Sequence, residues 1–322
     1  MRAWVANSFK GYEDFELRDV EAPVVTDGKL LVRVVAAGAT PLDNTILQNK
    51  IPVAVAPLIL GNEGSGIVVD GDEDFPHGTR VVFCGPLGLL EQGTYAELIA
   101  VSKDLLYRVP DNIDLVAAAG LPVAYLTSYL ALEMAGFKPG KIVVAPAIGG
   151  SVGNATVQLA LALGAKIAIS SSTSLEKVMV ARQSGFDHVI DLGDEAIGDG
   201  IMRITDGYGA DIVIDGLGGS ILSSASKVLA PGGAIISIGY SAGRETTVDV
   251  MDLIWKTSRI QGFSLLAHGV AVRRLAWGAV SGLLAQGRVK PTVAKTFEFN
   301  QAKEALSYLI EDRPFGRVIL KI

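Results

Sequence analysis

The chain has 322 residues, with 28 Lys and Arg against 34 Asp and Glu, three His and one Cys, for a formal charge of −6. At roughly 100 to 200 residues per domain this length predicts about two domains. A composition of 49% hydrophobic and 19% charged residues excludes a disordered chain and describes one able to build a core without disulfide or metal staples. The lone Cys84 excludes an intrachain disulfide framework and any zinc site made of several thiolates. No segment offers the ~18 uninterrupted apolar residues of a membrane span, and the N-terminal residues lack a signal-length apolar stretch. The expectation is a cytoplasmic protein with no membrane partner. Net acidity argues against a nucleic-acid partner, and the one local basic pair, Arg273-Arg274, reads as a solvated helix face.

In chain order, the first third reads as β-rich. Apolar runs at 30–36, 66–69 and 79–83, each bounded by Gly, Pro or Asp, predict short strands of a barrel or sandwich. From about Ala117 the texture turns helical, and Leu121, Ala124, Leu126, Tyr129, Leu130 and Leu132 outline a mostly apolar helix. Beyond Pro139-Gly140 strands and helices alternate. Strands are predicted at 142–145, 166–170, 189–190, 210–215 and 233–239, and helices at 152–163, 175–184, 195–205 and 220–229. That alternation is what a parallel sheet with crossover helices requires. The remainder reads as strand 260–266, helix 270–286, strand 292–299, helix 301–310 and a closing strand 317–322. The corresponding domain expectation is 1–119, 120–260 and a returning segment 261–322.

The sharpest local signal is Val143-Val144-Ala145-Pro146-Ala147-Ile148-Gly149-Gly150-Ser151-Val152-Gly153, a strand turning through glycines into a helix. Gly150 would let the backbone approach a pyrophosphate, Gly153 would let the helix pack on the sheet, and the helix N-terminus supplies free N–H groups and a positive dipole end. The three-glycine spacing is incomplete, with Ile148 at the place of the first glycine and Ala147-x-x-Gly150-x-x-Gly153 remaining. Ala147, Gly149, Gly150, Ser151, Val152 and Gly153 are the candidate cradle.

The second strand bears on which dinucleotide is bound. An NAD site places Asp or Glu ~20 residues after the glycines to hold the ribose hydroxyl. Here Ser170-Ser171-Ser172-Thr173 stand there, with Lys177 one helical turn on. Hydroxyls and a cation suit a 2′-phosphate, so the reading is NADPH.

The glycine turn, the β-rich start and the returning C-terminal segment together resemble the medium-chain dehydrogenase/reductase superfamily, and within it the zinc-free NADPH:quinone oxidoreductase branch, also called zeta-crystallin-like. The resemblance runs end to end and rests on Gly61-Asn62-Glu63-Gly64-Ser65-Gly66, Gly93-Thr94-Tyr95-Ala96-Glu97, Ala117-Ala118-Ala119-Gly120-Leu121-Pro122 and Leu126-Thr127-Ser128-Tyr129. It continues through the cradle, Asp215-Gly216-Leu217-Gly218-Gly219, Pro231-Gly232-Gly233 and Pro314-Phe315-Gly316-Arg317-Val318. It implies an α/β protein in which a GroES-like β-barrel catalytic domain, made from both chain ends, flanks a Rossmann domain with a doubly wound parallel sheet. It also implies a homodimer joined through Rossmann edge strands near the segment before Gly262.

Zinc-dependent relatives carry a Cys near Ala39 or Thr40 and a His where Asn62 stands, and they add a four-Cys lobe that this chain lacks. No metal is therefore expected. The chemistry left is hydride delivery from NADPH to an electron-poor acceptor such as a quinone or an activated alkene.

Around the acceptor, the family segment Asn-Pro-x-Asp-x-Tyr appears as Thr40-Pro41-Leu42-Asp43-Asn44-Thr45, so Thr40 and Thr45 replace the Asn and the Tyr. The resemblance assigns Thr40, Asp43, Thr45, Asn62 and Thr127 to the catalytic pocket. Read by itself, Asp43 is also the N-cap of a helix beginning there, and Asn62 a turn residue. On the cofactor side the resemblance adds Thr127, Asp215, Gly239, Tyr240, Ser241, Phe263 and Ser264. His77, His188 and His268 form no triad and read as ordinary histidines, Tyr125 and Tyr129 read as core, and Cys84 as buried and inert. The competing readings are an alkenal or enoyl reductase, which the missing Tyr disfavours, and a nucleotide-binding sensor without turnover.

Overall fold

Short β-branched and aromatic stretches fill the first hundred residues, and eight strands form there. They are β1 (Arg2–Ala6), β2 (Phe15–Asp19), β3 (Lys29–Ala39), β4 (Leu58–Ile59), β5 (Glu63–Asp70), β6 (Arg80–Cys84), β7 (Leu98–Ser102) and β8 (Leu106–Arg108), with two short helices, α1 (Pro41–Leu47) and α2 (Leu115–Ala118). The computed structural model describes all residues, Met1–Ile322.

The alternating region then follows. It runs α3 (Pro122–Ala135), β9 (Ile142–Val144), α4 (Ser151–Ala162), β10 (Ile167–Ser172), α5 (Leu175–Gln183), β11 (Val189–Asp191), α6 (Ile197–Ile204), β12 (Ala210–Asp215), α7 (Gly219–Lys227), β13 (Leu229–Ser237), α8 (Val250–Lys256) and β14 (Arg259–Gly262). The chain closes with α9 (Val270–Ala285), β15 (Val293–Glu298), α10 (Ala302–Glu311) and β16 (Arg317–Lys321).

Two units result. The first holds Met1–Val123, Gly269–Gly287 and Pro291–Ile322, and the second Ala124–His268 with Arg288–Lys290. In the first unit the long strand β3 is the hub, because it pairs antiparallel with β5, β7 and the C-terminal β16. The sheet reads β15-β16-β3-β5-β6-β8, and a small sheet β2-β1-β4 stands apart from it. Alternate residues Val32 and Val34 meet Val68, Val81 and Phe83 in one core. Trp4, Phe15, Leu60, Tyr95 and Phe299 meet in another. Each such side chain contributes about 1.5–3 kcal/mol when fully buried.

In the second unit six strands lie parallel in the order β11-β10-β9-β12-β13-β14. This is the doubly wound dinucleotide-binding order, whose crevice opens at the carboxyl ends of the strands where the order reverses, between β9 and β12. Val144, Ile169, Ile190, Val213 and Ile235 form the sheet's contribution to the core, and α6 adds Ile197 and Ile201 from one face.

Three expectations need correction. The strand expected at 260–266 stops at Gly262, because the next residues bend into a short 3₁₀ turn, Leu265–Ala267. Helix α8 has no counterpart in the sequence reading, since its apolar residues Val250, Met251, Ile254 and Trp255 are exposed and trace no inward face. Arg273 is not on a solvated face either. It is 7% exposed, and only its neighbour Arg274 reaches solvent.

Candidate functional site

Two features of the chain shape the turn after β9. Ala145 N–H donates to Ile169 O at 2.8 Å and Ile148 N–H to Ser171 O at 2.9 Å, which ties the turn to β10. Ala147 then takes a φ of 65°, the left-handed region, and Gly150 N–H closes the turn on Ala147 O at 2.9 Å. The position that asks for glycine is thus Ala147. Ile148 is fully buried and belongs to the core, which corrects the alignment of the three-glycine pattern.

The two later glycines do different work. A Cβ on Gly153 would lie 2.4 Å from Ala147 O and 2.5 Å from Pro146 O, so helix and turn touch backbone to backbone there. A Cβ on Gly150 would meet Ala147 O at 3.2 Å and is otherwise open to the outside. Gly150 is also the N-cap of α4, and no side chain caps it. The first-turn N–H groups, which have no intrahelical acceptor, therefore face outward with the positive end of the helix dipole. Ala147, Gly149, Ser151, Val152 and Gly153 are half-buried around them. A pyrophosphate fits this end of α4 on the chain's own chemistry.

At the end of β10 the serines divide. Ser170 is buried and its hydroxyl donates to Ala145 O, while Ser171 is buried and accepts from Ala147 N–H at 3.5 Å. Both hydroxyls are part of the scaffold under the turn, which corrects their assignment as phosphate contacts. Ser172 accepts from Ser174 N–H at 3.1 Å, Thr173 is exposed, and Lys177 lies half-buried in the first turn of α5.

Beyond β12 the carboxylate of Asp215 is spent on its own loop. It accepts from Leu217 N–H at 3.1 Å and Gly218 N–H at 3.0 Å, and burial pushes its pKa up. Ser241 donates from its hydroxyl to Gly216 O at 3.1 Å, and a Cβ on Gly239 would lie 2.8 Å from the same oxygen. The loops after β12 and β13 are thereby locked together. Beside them is a cavity of about 300 Å³ lined by Gly218, Ser237, Gly239, Tyr240, Arg244 and Phe263, among others. Phe263 is held by its N–H to Ser237 O at 2.9 Å and stacks on His268 at 4.9 Å between ring centres. His268 Nδ1 in turn donates to the carbonyl of the exposed Ser264 at 3.0 Å, which fixes its tautomer. Thr127 is 7% exposed on α3, and the next residue, Ser128, donates to Val152 O at 3.3 Å, so this part of α3 lies against the first turn of α4.

In the first unit Asp43 is a structural hub. Thr40, not Asp43, is the N-cap of α1, and Asp43 is the third helical residue. The Asp43 carboxylate is fully buried and accepts from Thr40 N–H at 2.8 Å, Thr40 Oγ1 at 2.9 Å, Gly61 N–H at 3.0 Å and Tyr95 OH at 3.1 Å. Burial pushes its pKa up and these hydrogen bonds pull it back down. The Thr40 hydroxyl therefore spends its one donor on Asp43 and keeps only lone pairs. Thr45 Oγ1 donates to Pro41 O at 2.8 Å within the helix. Asn62 differs, because its Oδ1 is buried with no partner.

Sequence reasoning passed over several of these groups. Tyr95 was visible only as a motif letter, Glu63 lies fully buried and paired with Arg317, and His268 and Arg273 were read as ordinary. A metal does not fit the donors present: no three His, Cys, Asp or Glu side chains gather. Glu63 is held by Arg317, and burial pushes the Cys84 thiol well above its ordinary range.

A dinucleotide-type parallel sheet joined to a β-rich unit built from both chain ends defines the class, an NAD(P)-dependent oxidoreductase. The family model for the alcohol dehydrogenase GroES-like domain matches residues 26–111, and that for the zinc-binding dehydrogenase matches 151–278. The chain is 28% identical to the NADPH-dependent alkenal/one oxidoreductase of Arabidopsis thaliana, over 99% of this chain and 79% of that protein. It is 29% identical to a quinone oxidoreductase-like protein 2 homolog of Nematostella vectensis, over 82% and 73%. A solved NAD-dependent alcohol dehydrogenase superposes with a TM-score of 0.90 at 28% identity, covering 100% of both chains. The chain belongs to the medium-chain dehydrogenase/reductase superfamily, in its quinone oxidoreductase branch. No helix is long and apolar enough to cross a membrane.

Proposed function

We propose that this protein is an NADPH-dependent, metal-independent reductase of small electrophilic acceptors, quinones first and activated alkenes second. The observation that carries the reading is the uncapped N-terminus of α4 at Gly150, where the chain leaves first-turn N–H groups for an anion that it does not itself supply. When bound, NADPH supplies a hydride. The chain's part is to hold the pyrophosphate on α4, to meet the 2′-phosphate with Ser172, Thr173 and Lys177, and to line the nicotinamide with Gly239, Tyr240, Ser241 and Phe263.

Thr40 and Asn62 in the first unit are assigned to orient the acceptor, and Thr127 in the second unit to the cofactor. The hydroxyls of Thr40 and Thr45 already donate inside the protein, so neither is the proton source, and water or the cofactor ribose serves instead. The domain boundary is taken near 119–120, as read from the sequence, close to the division of the compact units at Val123 and Ala124. The outer edge of β14 and the exposed apolar residues of α8 support a homodimer, which sedimentation checks. A cytoplasmic location completes the reading.

The test is cofactor consumption followed by absorbance, with NADPH and NADH in parallel against ortho-quinones, para-quinones, enones and enoyl-CoA esters. Selective NADPH turnover with quinones or enones is expected. Binding of NADPH without turnover of any acceptor would overturn the reductase in favour of a nucleotide-binding sensor, a reading favoured by the same inward-turned hydroxyls. Lys177→Ala is expected to weaken NADPH about 10-fold and NADH little, as for one charged contact to phosphate.

A further inference from the structure

We propose that Arg273 and Tyr107 form an anion-recognition subsite in the first unit, and that among activated alkenes the favoured acceptor carries a carboxylate, as in an α,β-unsaturated acid. This inference rests on the reductase reading for the word acceptor, while the subsite stands on the first unit alone.

The strands place these residues together. Val82 on β6 pairs with Tyr107 on β8, so both point to one face of the sheet, and Cys84 lies on that face two residues further along. The opposite face sends Val81, Phe83 and Leu106 into the core. Helix α9 covers the first face, with the Trp277 ring 5.6 Å from the Tyr107 ring and Trp277 Nε1 donating to Arg108 O at 2.8 Å. Arg273 precedes Trp277 by one helical turn and shares its face.

What makes this a site is missing chemistry. Five buried side-chain polar atoms in the molecule lack a partner, and two of them are Arg273 Nε and Tyr107 Oη. A guanidinium at 7% exposure without a carboxylate is costly, and buried cations are ordinarily paired. No anion of the chain is left to answer it. Asp104 pairs with Arg274 at 3.4 Å, and Glu63 is taken by Arg317. Cys84 stays a neutral thiol, because burial raises its pKa further than Arg273 lowers it. The guanidinium and the phenol are both donors, which is the complement of a carboxylate.

The test compares 2-butenoate with its methyl ester as acceptors under NADPH, and separately titrates the unreactive butanoate in the presence of NADP⁺ by calorimetry. Wild type is expected to prefer the acid. Arg273→Met is expected to lower kcat/KM for the acid about 10- to 150-fold more than for the ester, and to weaken butanoate by a similar factor, the range of a charge-assisted hydrogen bond. Tyr107→Phe keeps the ring against Trp277 and loses less, and Arg273→Lys serves if the methionine variant does not fold. Arg274→Met, a surface change, leaves the acid-to-ester ratio as it was.

Equal losses for acid and ester in Arg273→Met, with butanoate affinity unchanged, would overturn the subsite and leave the reductase standing. If neither acceptor is reduced, the quinone and enone assays decide the reductase reading and the butanoate titration alone decides the subsite. Binding that depends on Arg273 upholds it, and absent or Arg273-independent binding overturns it.

Discussion

The Asp43 hub of the first unit and the α4 turn of the second are both built on a helix start, yet they are finished in opposite ways. At α1 the carboxylate of Asp43 takes four donors and joins Thr40, Gly61 and Tyr95 into one buried knot. At α4 Gly150 brings no capping group, and the helix end stays open. A helix start tied into a knot of buried side chains is scaffold, and one left bare is a place for a ligand. The contrast separates residues that hold the fold from residues that hold the cofactor, even where a family motif lists them together.

Gly153→Ala sharpens that contrast with the largest expected effect. The new methyl meets two backbone oxygens that cannot turn aside, so the second unit should lose about 3 kcal/mol or more of stability, read by urea unfolding. Asp43→Asn comes next. An amide presents two N–H donors where Thr40 and Tyr95 already donate, and the expected loss is about 2–3 kcal/mol, again by urea unfolding. An Asp43→Asn protein of native stability would break the comparison, since the hub would then be doing no structural work. Ala147→Gly has the smallest effect and the opposite sign. Relieving a left-handed alanine at φ 65° should raise stability by about 1 kcal/mol, as a small upward shift in Tm.

Much of the second unit was legible in the chain because its strands are continuous apolar runs separated by amphipathic helices, and the 210–215 strand lies where that pattern puts it. The first unit was less so. Strands β2 and β4 are short, β2 is largely polar, and neither presents a periodic signal, so only their pairing with β1 reveals them.

At the site, Gly150 and Gly153 announce a helix start in the sequence, and their spacing already separates Gly150, on the open side, from Gly153, packed on the turn. The serines of β10 are a different matter. Hydroxyls beside a lysine suggest phosphate contacts, whereas Ser170 and Ser171 turn their hydroxyls to backbone groups at Ala145 and Ala147. Arg273 could not be singled out at all, since a buried arginine and an exposed one look alike until a helix is laid over a sheet.

The measurement that bears most directly on the central claim is NADPH binding to wild type and Gly150→Val, followed by nicotinamide fluorescence alongside thermal unfolding. The account predicts saturable binding to wild type and a loss of about 100-fold in the variant, or about 2.7 kcal/mol, with unfolding little changed because a Cβ at Gly150 meets only Ala147, its O at 3.2 Å and its Cβ at 3.8 Å. Equal affinity in the two proteins would contradict it and remove the α4 turn from the cofactor site.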